Sequence, residues 1–538
     1  MSNTTPLSAD VVIVGSGAAG ANAALKLLRK GVKVLMLEAG PPLDQAQVVM
    51  NYRNAGFKGD NMAPYPAKPW APQPDFIPED NGYLIQKGPD PYTAQYIRGV
   101  GGTTWHWAGQ AWRVMPNDMR LKSLYGQGVD WPITYQDLEP FYCEAEIEMG
   151  VSGGGALAGD YDSPRSQPYP MSELPLPYGF EQLRLRYKEV GLEVVPGPQA
   201  RTSRAYDDRP ACCGNNNCMP VCPIGAQYNG SMTVRKCLKL GMTLISNAVV
   251  YNIETGAGNK VTAVHYIDEH KQQHRVTGKF FLLTANAMET AKLMLMSTSP
   301  ENPRGVGNSG DAVGRRLMDH PGSGVEYLAD EPLYLGRGPI CPGSVGNTRD
   351  GAFRSERSAL RIDVHNNNPV RYLTEKLVAQ GYHGAELNDR IQHDSERYVL
   401  LKSMLELLPD PNNRIVLSDK KDAWGIPQME VHYSYSEYVH KGYDACRKMY
   451  EDAVRVTGGT GAVYTPRGTY SNNQHITGTL SMGTDPAHSV VNRYCQTHDH
   501  ANLYCGGTGV MPTAATVNST LSGVALSLLA ADHIIKSL

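Results

Sequence analysis

The chain alternates short apolar blocks with glycine-rich turns. The first block, Val11 to Val14, is four apolar residues in a row closed by glycines, the pattern of a strand buried on both faces. Ala18 to Arg29 is rich in helix formers, Gly31 stops it, and Val32 to Leu37 forms a second apolar block. Strand, turn, helix and strand within about 30 residues predict a βαβ unit. Further on, TLISNAVVYNIET and KVTAVHYID read as alternating strands, and KFFLLTANAMETAKLMLMS as strand, turn and helix. The final stretch, NSTLSGVALSLLAADHIIKSL, predicts a long helix rich in alanine and leucine. Residues 41–97 are dense in Pro, Asn, Asp and Tyr, and 151–230 are again loop-rich; both predict ordered loops that build or cover a site. No repeat or flexible linker separates these regions, so two domains interleaved along the chain are expected.

Composition narrows the function classes. A chain of 538 residues is too long for one simple core. With 41% hydrophobic and 19% charged residues it reads as an ordinary globular protein. A formal net charge of −3 leaves no basic footprint and argues against nucleic acid as a partner. No apolar run approaches the roughly 20 residues of a membrane span, and the N-terminal stretch lacks the pattern of an export signal. The ten cysteines do not form the framework of a small disulfide-rich domain.

Three clusters of residues carry chemistry. Gly15, Gly17 and Gly20 form GxGxxG between the first strand and helix: a tight turn, an open approach for a pyrophosphate, and close helix–strand packing. Glu38, ending the second strand, stands where an acid bonds the ribose hydroxyls of a dinucleotide. The motif alone does not separate NAD from FAD. The second cluster is ACCGNNNCMPVCPIG, residues 211–225, which holds Cys212, Cys213, Cys218 and Cys222. A bond between vicinal Cys212 and Cys213 is strained, and the spacing lacks the paired C-x₂₋₄-C of structural zinc sites. Thiolates crowded on one loop with Pro223 after the last put iron–sulfur ligation slightly ahead of zinc. The third cluster is C-terminal: His475 in NNQHITGTLSMG and Asn518 in NLYCGGTGVMPTAATVNST. A histidine takes a proton near neutral pH, and an asparagine amide can bond a developing alkoxide. Asn518 also stands just before the last helix, where it reads as an N-cap.

These stretches together resemble the glucose–methanol–choline (GMC) oxidoreductases. GVGGTTWHW, residues 99–107, is similar to that family's flavin-facing turn, and VGRRLMDHP, 313–321, to an internal element of it. The segment ANAMETAKLML departs from the family's second signature at Asn286 and at Thr290–Ala291, and Asn286 receives no role. The resemblance implies an α/β fold: a Rossmann-like FAD-binding domain interleaved with an α+β substrate domain. The expected boundaries are 1–120, 205–322 and 463–538 for FAD, and 121–204 and 323–462 for the substrate or cap domain. It implies FAD bound through Gly15, Gly17, Gly20, Glu38, Gly101, Gly102 and Thr103, with His475 as base and Asn518 as its partner. In some relatives, such as pyranose oxidase, a histidine in a GGxxxHW pattern is joined covalently to the flavin, so His106 is an expected tether. Glu406 is read as a structural acid in a turn rather than a sugar-hydroxyl acceptor.

The cysteine loop resembles that of the large subunits of bacterial membrane-bound FAD dehydrogenases of sugars, polyols and sugar acids (glucose, fructose, sorbitol and gluconate types). That likeness implies a three-iron, four-sulfur cluster on Cys212, Cys218 and Cys222, with no role for Cys213. It further implies a small chaperone-like subunit that carries the export signal, a multihaem cytochrome c subunit, and a place on the periplasmic side of the inner membrane, reached only through those partners. A soluble sugar oxidase that uses oxygen, and a non-catalytic flavoprotein scaffold, are the alternatives.

Overall fold

The computed structural model describes residues 7–74, 83–155, 161 and 163–538. The βαβ unit forms as the apolar pattern predicts: β1 (Leu7–Val14), α1 (Ala18–Arg29) and β2 (Val34–Leu37). Val11, Val12 and Ile13 are fully buried, at about 1.5–3 kcal/mol for each large side chain taken out of water. β1 lies in a seven-stranded sheet between β2 and the strand Gln273–Leu283; Thr243–Ile245 pairs with β2, and Leu503–Cys505 with Gln273–Leu283. All of these pairs are parallel. Two antiparallel strands, Lys260–Ile267 and Val249–Gly256, extend the other end.

Register decides where the site forms. Val14 lies opposite Leu37 and Leu283, and Leu283 opposite Cys505. The strands therefore stop at one common edge, and the next residues, Gly15, Glu38, Thr284 and Gly506, emerge side by side. Ligands of parallel sheets bind at that carboxyl edge. The last helix, Thr520–Ser537, is buried along most of its length, and its final residues are exposed.

A second sheet has six strands, all antiparallel, in the order Thr460–Tyr464, Gly324–Leu328, Tyr398–Leu405, Leu360–His365, Gly343–Val345 and Val194–Pro196. The segment 41–97 is less irregular than its composition predicts. It contains the helix Gln45–Asn54, started by the Asp44 side chain, which accepts from Gln47 N–H at 3.0 Å, and the short strand Leu84–Gln86. Its residues 75–82 fall outside the described ones. Among the described residues no helix is long and apolar enough to cross a membrane.

Candidate active site

A cleft of about 260 Å³, open to solvent, runs along the carboxyl edge of the first sheet. Gly15 has φ +103°, and a Cβ there would lie 2.7 Å from the Ala285 nitrogen. A Cβ on Gly20 would fall 2.1 Å from the Gly15 oxygen, so both positions admit only glycine. A Cβ on Gly17, by contrast, meets no protein atom within 4 Å. Gly17 caps α1, whose first turn has no acid and whose last turn holds Lys26 and Arg29. The helix thus presents open N–H groups and positive potential to the cleft, as a pyrophosphate requires.

Glu38 lines this cleft and is buried. Its carboxylate accepts from Ser16 N–H at 3.0 Å, Ser16 Oγ at 2.6 Å and Gly40 N–H at 3.0 Å. Burial raises its pKa, and those hydrogen bonds oppose the rise. Ser16 Oγ also accepts from Gly101 N–H at 3.2 Å, so one hydroxyl joins the two glycine turns. A Cβ on Gly102 would sit 3.0 Å from the Gly17 Cα. Thr103 accepts from Ile97 N–H at 3.2 Å, and Gly102 and Thr103 line the cleft. The cleft's glycine turns and acid fit a dinucleotide. His106 is buried with its ring centroid 5.9 Å from that of Tyr65, and it is not among the cleft-lining residues. Asn286 does line the cleft and caps the helix Ala287–Met296, accepting from Met288 N–H at 2.9 Å.

His475 and Asn518, 43 residues apart, come together: Asn518 Nδ2–H lies 2.8 Å from His475 Nε2. Asn518 does not cap the last helix, because Ser519 occupies that position. Its side chain is instead part of a chain of four residues. Arg361 Nη2–H donates to Asn518 Oδ1 at 2.6 Å. His475 Nδ1 meets His320 Nδ1 at 2.9 Å, and His320 Nε2 reaches the Ala515 carbonyl at 2.9 Å. Both ends have fixed polarity, since a guanidinium only donates and a carbonyl only accepts. His320 therefore carries its proton on Nε2 and accepts at Nδ1. His475 donates from Nδ1, which leaves its Nε2 as the unprotonated acceptor.

Local structure holds this chain in place. Residues 318–322 run antiparallel to 471–477: Gly322 pairs with Ser471, Pro321 with Asn472, and Met318 with Thr477. Asp319, fully buried, accepts from His320 N–H at 2.6 Å and His475 N–H at 2.9 Å. Gln474 and Ala515, both non-glycine, take φ of 63° and 57° beside the histidines, strain of the kind stored at functional sites. Burial pushes the Asp319 pKa up to about 7 and that of His320 down to about 4. Burial, then the charges of His320 and Arg361, hold His475 well below its ordinary value, so it is neutral at physiological pH. Ligand atoms of Asp319, His320 and His475 lie within 4.8 Å of one another, a span that suits a metal ion. Both Nδ1 atoms and one Asp319 oxygen are already engaged, so the group reads as a proton-holding network.

Arg361, Asp319 and His320 were missed by sequence reasoning. VGRRLMDHP contains the last two, but a motif shows no contact. Arg361 and Asp363 alternate on one strand face, and Asp363 Oδ1 accepts from Arg361 Nε at 3.0 Å. Glu406 is fully buried against Arg354, and Tyr438 donates to it at 3.0 Å, a structural role.

The cysteine loop packs on the same turn that lines the cleft. Tyr65 OH reaches both the Pro220 oxygen at 2.7 Å and the Trp105 oxygen at 3.1 Å, and Gln45 Nε2 donates to the Cys222 oxygen at 2.7 Å. Among the described residues all cysteines are free; Cys218 is buried, Cys212 and Cys222 half-buried, and Cys213 exposed. Burial raises the Cys218 pKa, and the charges of Cys222 and Cys212 raise it as well. Buried Cys341 packs against Cys218 as well. Three free thiols on one loop are the donor type that an iron–sulfur group takes.

Two family models match: "GMC oxidoreductase" over residues 409–527 and "FAD binding domain" over 10–51. The fructose dehydrogenase large subunit of Gluconobacter japonicus is 47% identical, across 100% of this chain and 99% of that protein. The 2-methyl-1,2-propanediol dehydrogenase of Mycolicibacterium austroafricanum is 27% identical, across 98% and 95%. In structure, pyridoxine 4-oxidase from Mesorbium loti aligns with a TM-score of 0.64 at 17% identity, covering 98% of this chain and 99% of that one, which speaks to the fold. With identity of that extent along its whole length, the chain belongs to the GMC oxidoreductases and is an FAD-dependent dehydrogenase acting on CH–OH groups.

Proposed function

We propose that this chain is the catalytic flavoprotein subunit of a bacterial respiratory dehydrogenase that oxidises a secondary or anomeric hydroxyl of a sugar, polyol or sugar acid. The observation that carries the reading is the chain Arg361–Asn518–His475–His320, whose polarity leaves His475 Nε2 as the free base. FAD, when bound, supplies the hydride acceptor. A substrate hydroxyl that displaces the 2.8 Å bond between Asn518 Nδ2 and His475 Nε2 gives its proton to the histidine. Asn518 Nδ2–H then bonds the oxygen as negative charge develops, and Arg361 keeps that amide from rotating. As His475 gains the proton, its Nδ1–H still donates to His320, which spreads the charge. Identity to a fructose dehydrogenase subunit supports a ketohexose as the first substrate to try.

The finer features follow the same reading. Cys212, Cys218 and Cys222 would hold a three-iron, four-sulfur cluster, which passes single electrons onward. A small subunit with an export signal and a multihaem cytochrome c subunit complete the complex at the periplasmic face, and His106 tethers the flavin. The domain division given above belongs to this proposal, with the second sheet on the substrate side.

Dye-linked turnover of the purified chain tests the reading, using fructose, glucose, sorbitol and gluconate, with iron and sulfide analysis of the same preparation. Turnover of one of them by an iron-containing protein is the expected result. Oxygen-driven turnover by protein lacking iron and sulfide would favour a soluble oxidase. Dye reduction unchanged in His475→Ala would favour a scaffold. Flavin left wholly in the supernatant after acid precipitation would remove the tether.

A further inference from the structure

Burying a cation without an acid beside it is costly, and several buried arginines of this chain have one. Arg113 contacts Glu146 at 2.7 Å and Glu139 at 3.0 Å. Arg354 contacts Asp118 at 2.9 Å and also Glu406, and Arg361 contacts Asp363 at 3.0 Å. Arg201 and Arg209 break this pattern. They are 1% and 6% exposed, and among the described residues neither forms an ion pair with a carboxylate. Arg201 donates only to neutral oxygens: Gln199 Oε1 at 3.1 Å, the Ala108 carbonyl at 3.4 Å, and Gln227 Oε1. Arg209 donates from Nη2 to the Met149 carbonyl at 2.9 Å, while its Nε and Nη1 have no partner. Asp207, two positions before it, is held by Lys236 at 2.6 Å and acts on Arg209 at longer range, and among the described residues the adjacent Asp208 forms no ion pair with it either.

Both arginines flank the cysteine loop. Arg201 pairs across a bridge with Gln227, whose side chain also reaches the Cys218 carbonyl at 3.5 Å. The residue after Arg201, Thr202, accepts from Cys212 N–H at 2.9 Å. Arg209 stands three positions before Cys212 and belongs to the turn that delivers the loop. The charge of Arg201 acts on the Cys218 thiol, and Arg209 and Cys222 act on each other.

We infer that Arg201 and Arg209 are fixed counter-charges for an anionic iron–sulfur group held by Cys212, Cys218 and Cys222, and that they raise its reduction potential. This rests on the reading of the loop given under the proposed function. Each reduction places one more electron, delivered from the reduced flavin, next to two cations that keep their protons. The reduced state gains most from them, so losing either cation lowers the potential.

The test is an EPR-monitored redox titration of the full chain purified anaerobically with its cofactors, alongside iron and sulfide content. Arg201→Gln is expected to keep its iron and to weaken reduction about tenfold in the one-electron equilibrium, a fall of about 59 mV. Arg209→Gln is expected to fall in the same direction, and Arg201→Lys, which keeps the charge, to titrate close to the wild type. Unchanged potentials in both glutamine variants overturn the inference. If a glutamine variant loses its iron, the other decides by the same titration. If both lose it, recovery of iron in Arg201→Lys supports a need for charge, and failure of recovery overturns it. Wild-type protein without iron and sulfide overturns the loop reading itself, an outcome visible before any variant is made.

Discussion

The histidine centre and the cysteine loop are both built from buried polar groups, yet they close their charges in opposite ways. At the histidine centre the protein supplies both signs. Arg361 is met by Asp363, and Asn518, His475 and His320 follow in one direction to a backbone carbonyl. Beside the loop of Cys212, Cys218 and Cys222, two buried arginines form no ion pair with a carboxylate among the described residues. The first region is organised before any ligand arrives, as catalysis by fixed dipoles requires. On the inference drawn above, the second is completed by an anion.

The sharpest way to break this comparison is at the base. His475→Ala is expected to lower dye-linked turnover by about 10²–10⁴-fold. Iron content, flavin content and melting temperature should stay near the wild type. A matching loss of iron would mean that the two regions are not separable.

Asp363→Asn comes next, because it imposes on Arg361 the condition that Arg201 has naturally. Removing one partner of a buried pair costs about 3–5 kcal/mol. Urea unfolding should show a loss of that order, and a change within 1 kcal/mol, on the order of a surface substitution, would show that unpaired guanidiniums are tolerated anywhere in this fold. A smaller effect is expected on chelating iron from the loaded chain. The melting temperature should fall by about a few degrees, since ligand that binds only the folded form stabilises it, and the fall should shrink in Arg201→Gln.

The smallest effect is on pH dependence. His475 must be neutral to accept a proton, and burial first, then His320 and Arg361, keep its pKa below 6.5. The acid limb of kcat/KM should therefore lie below pH 6.5. Arg361→Gln removes one depressing charge, so the limb should move up while staying below 6.5. A limb moving to lower pH would contradict the assigned electrostatics.

Much of the dinucleotide half is legible along the chain. Four consecutive apolar residues, a helix-forming run and a second apolar block specify β1, α1 and β2 because backbone periodicity is a local property. Gly15 and Gly20 are legible for the same reason, since their requirement arises within one turn. His475 and Asn518 were found through motif likeness, and their distance was not. The N-cap expected of Asn518 failed because a neighbouring serine takes the position, freeing the amide for Arg361.

What the chain's own order determined, then, is the local vocabulary: which segments become strands and helices, where glycine is obligatory, and which residue types are on hand for chemistry. Tertiary structure decided polarity and charge balance. Arg361 meets Asn518 across 157 positions, and His320 meets His475 across 155. The isolation of Arg201 from carboxylates likewise appears only once the sheets are packed. Hydrogen bonds and Coulomb forces act over a few ångströms of space, whatever the separation in sequence. Partners that far apart become neighbours only through the register and packing of the whole fold.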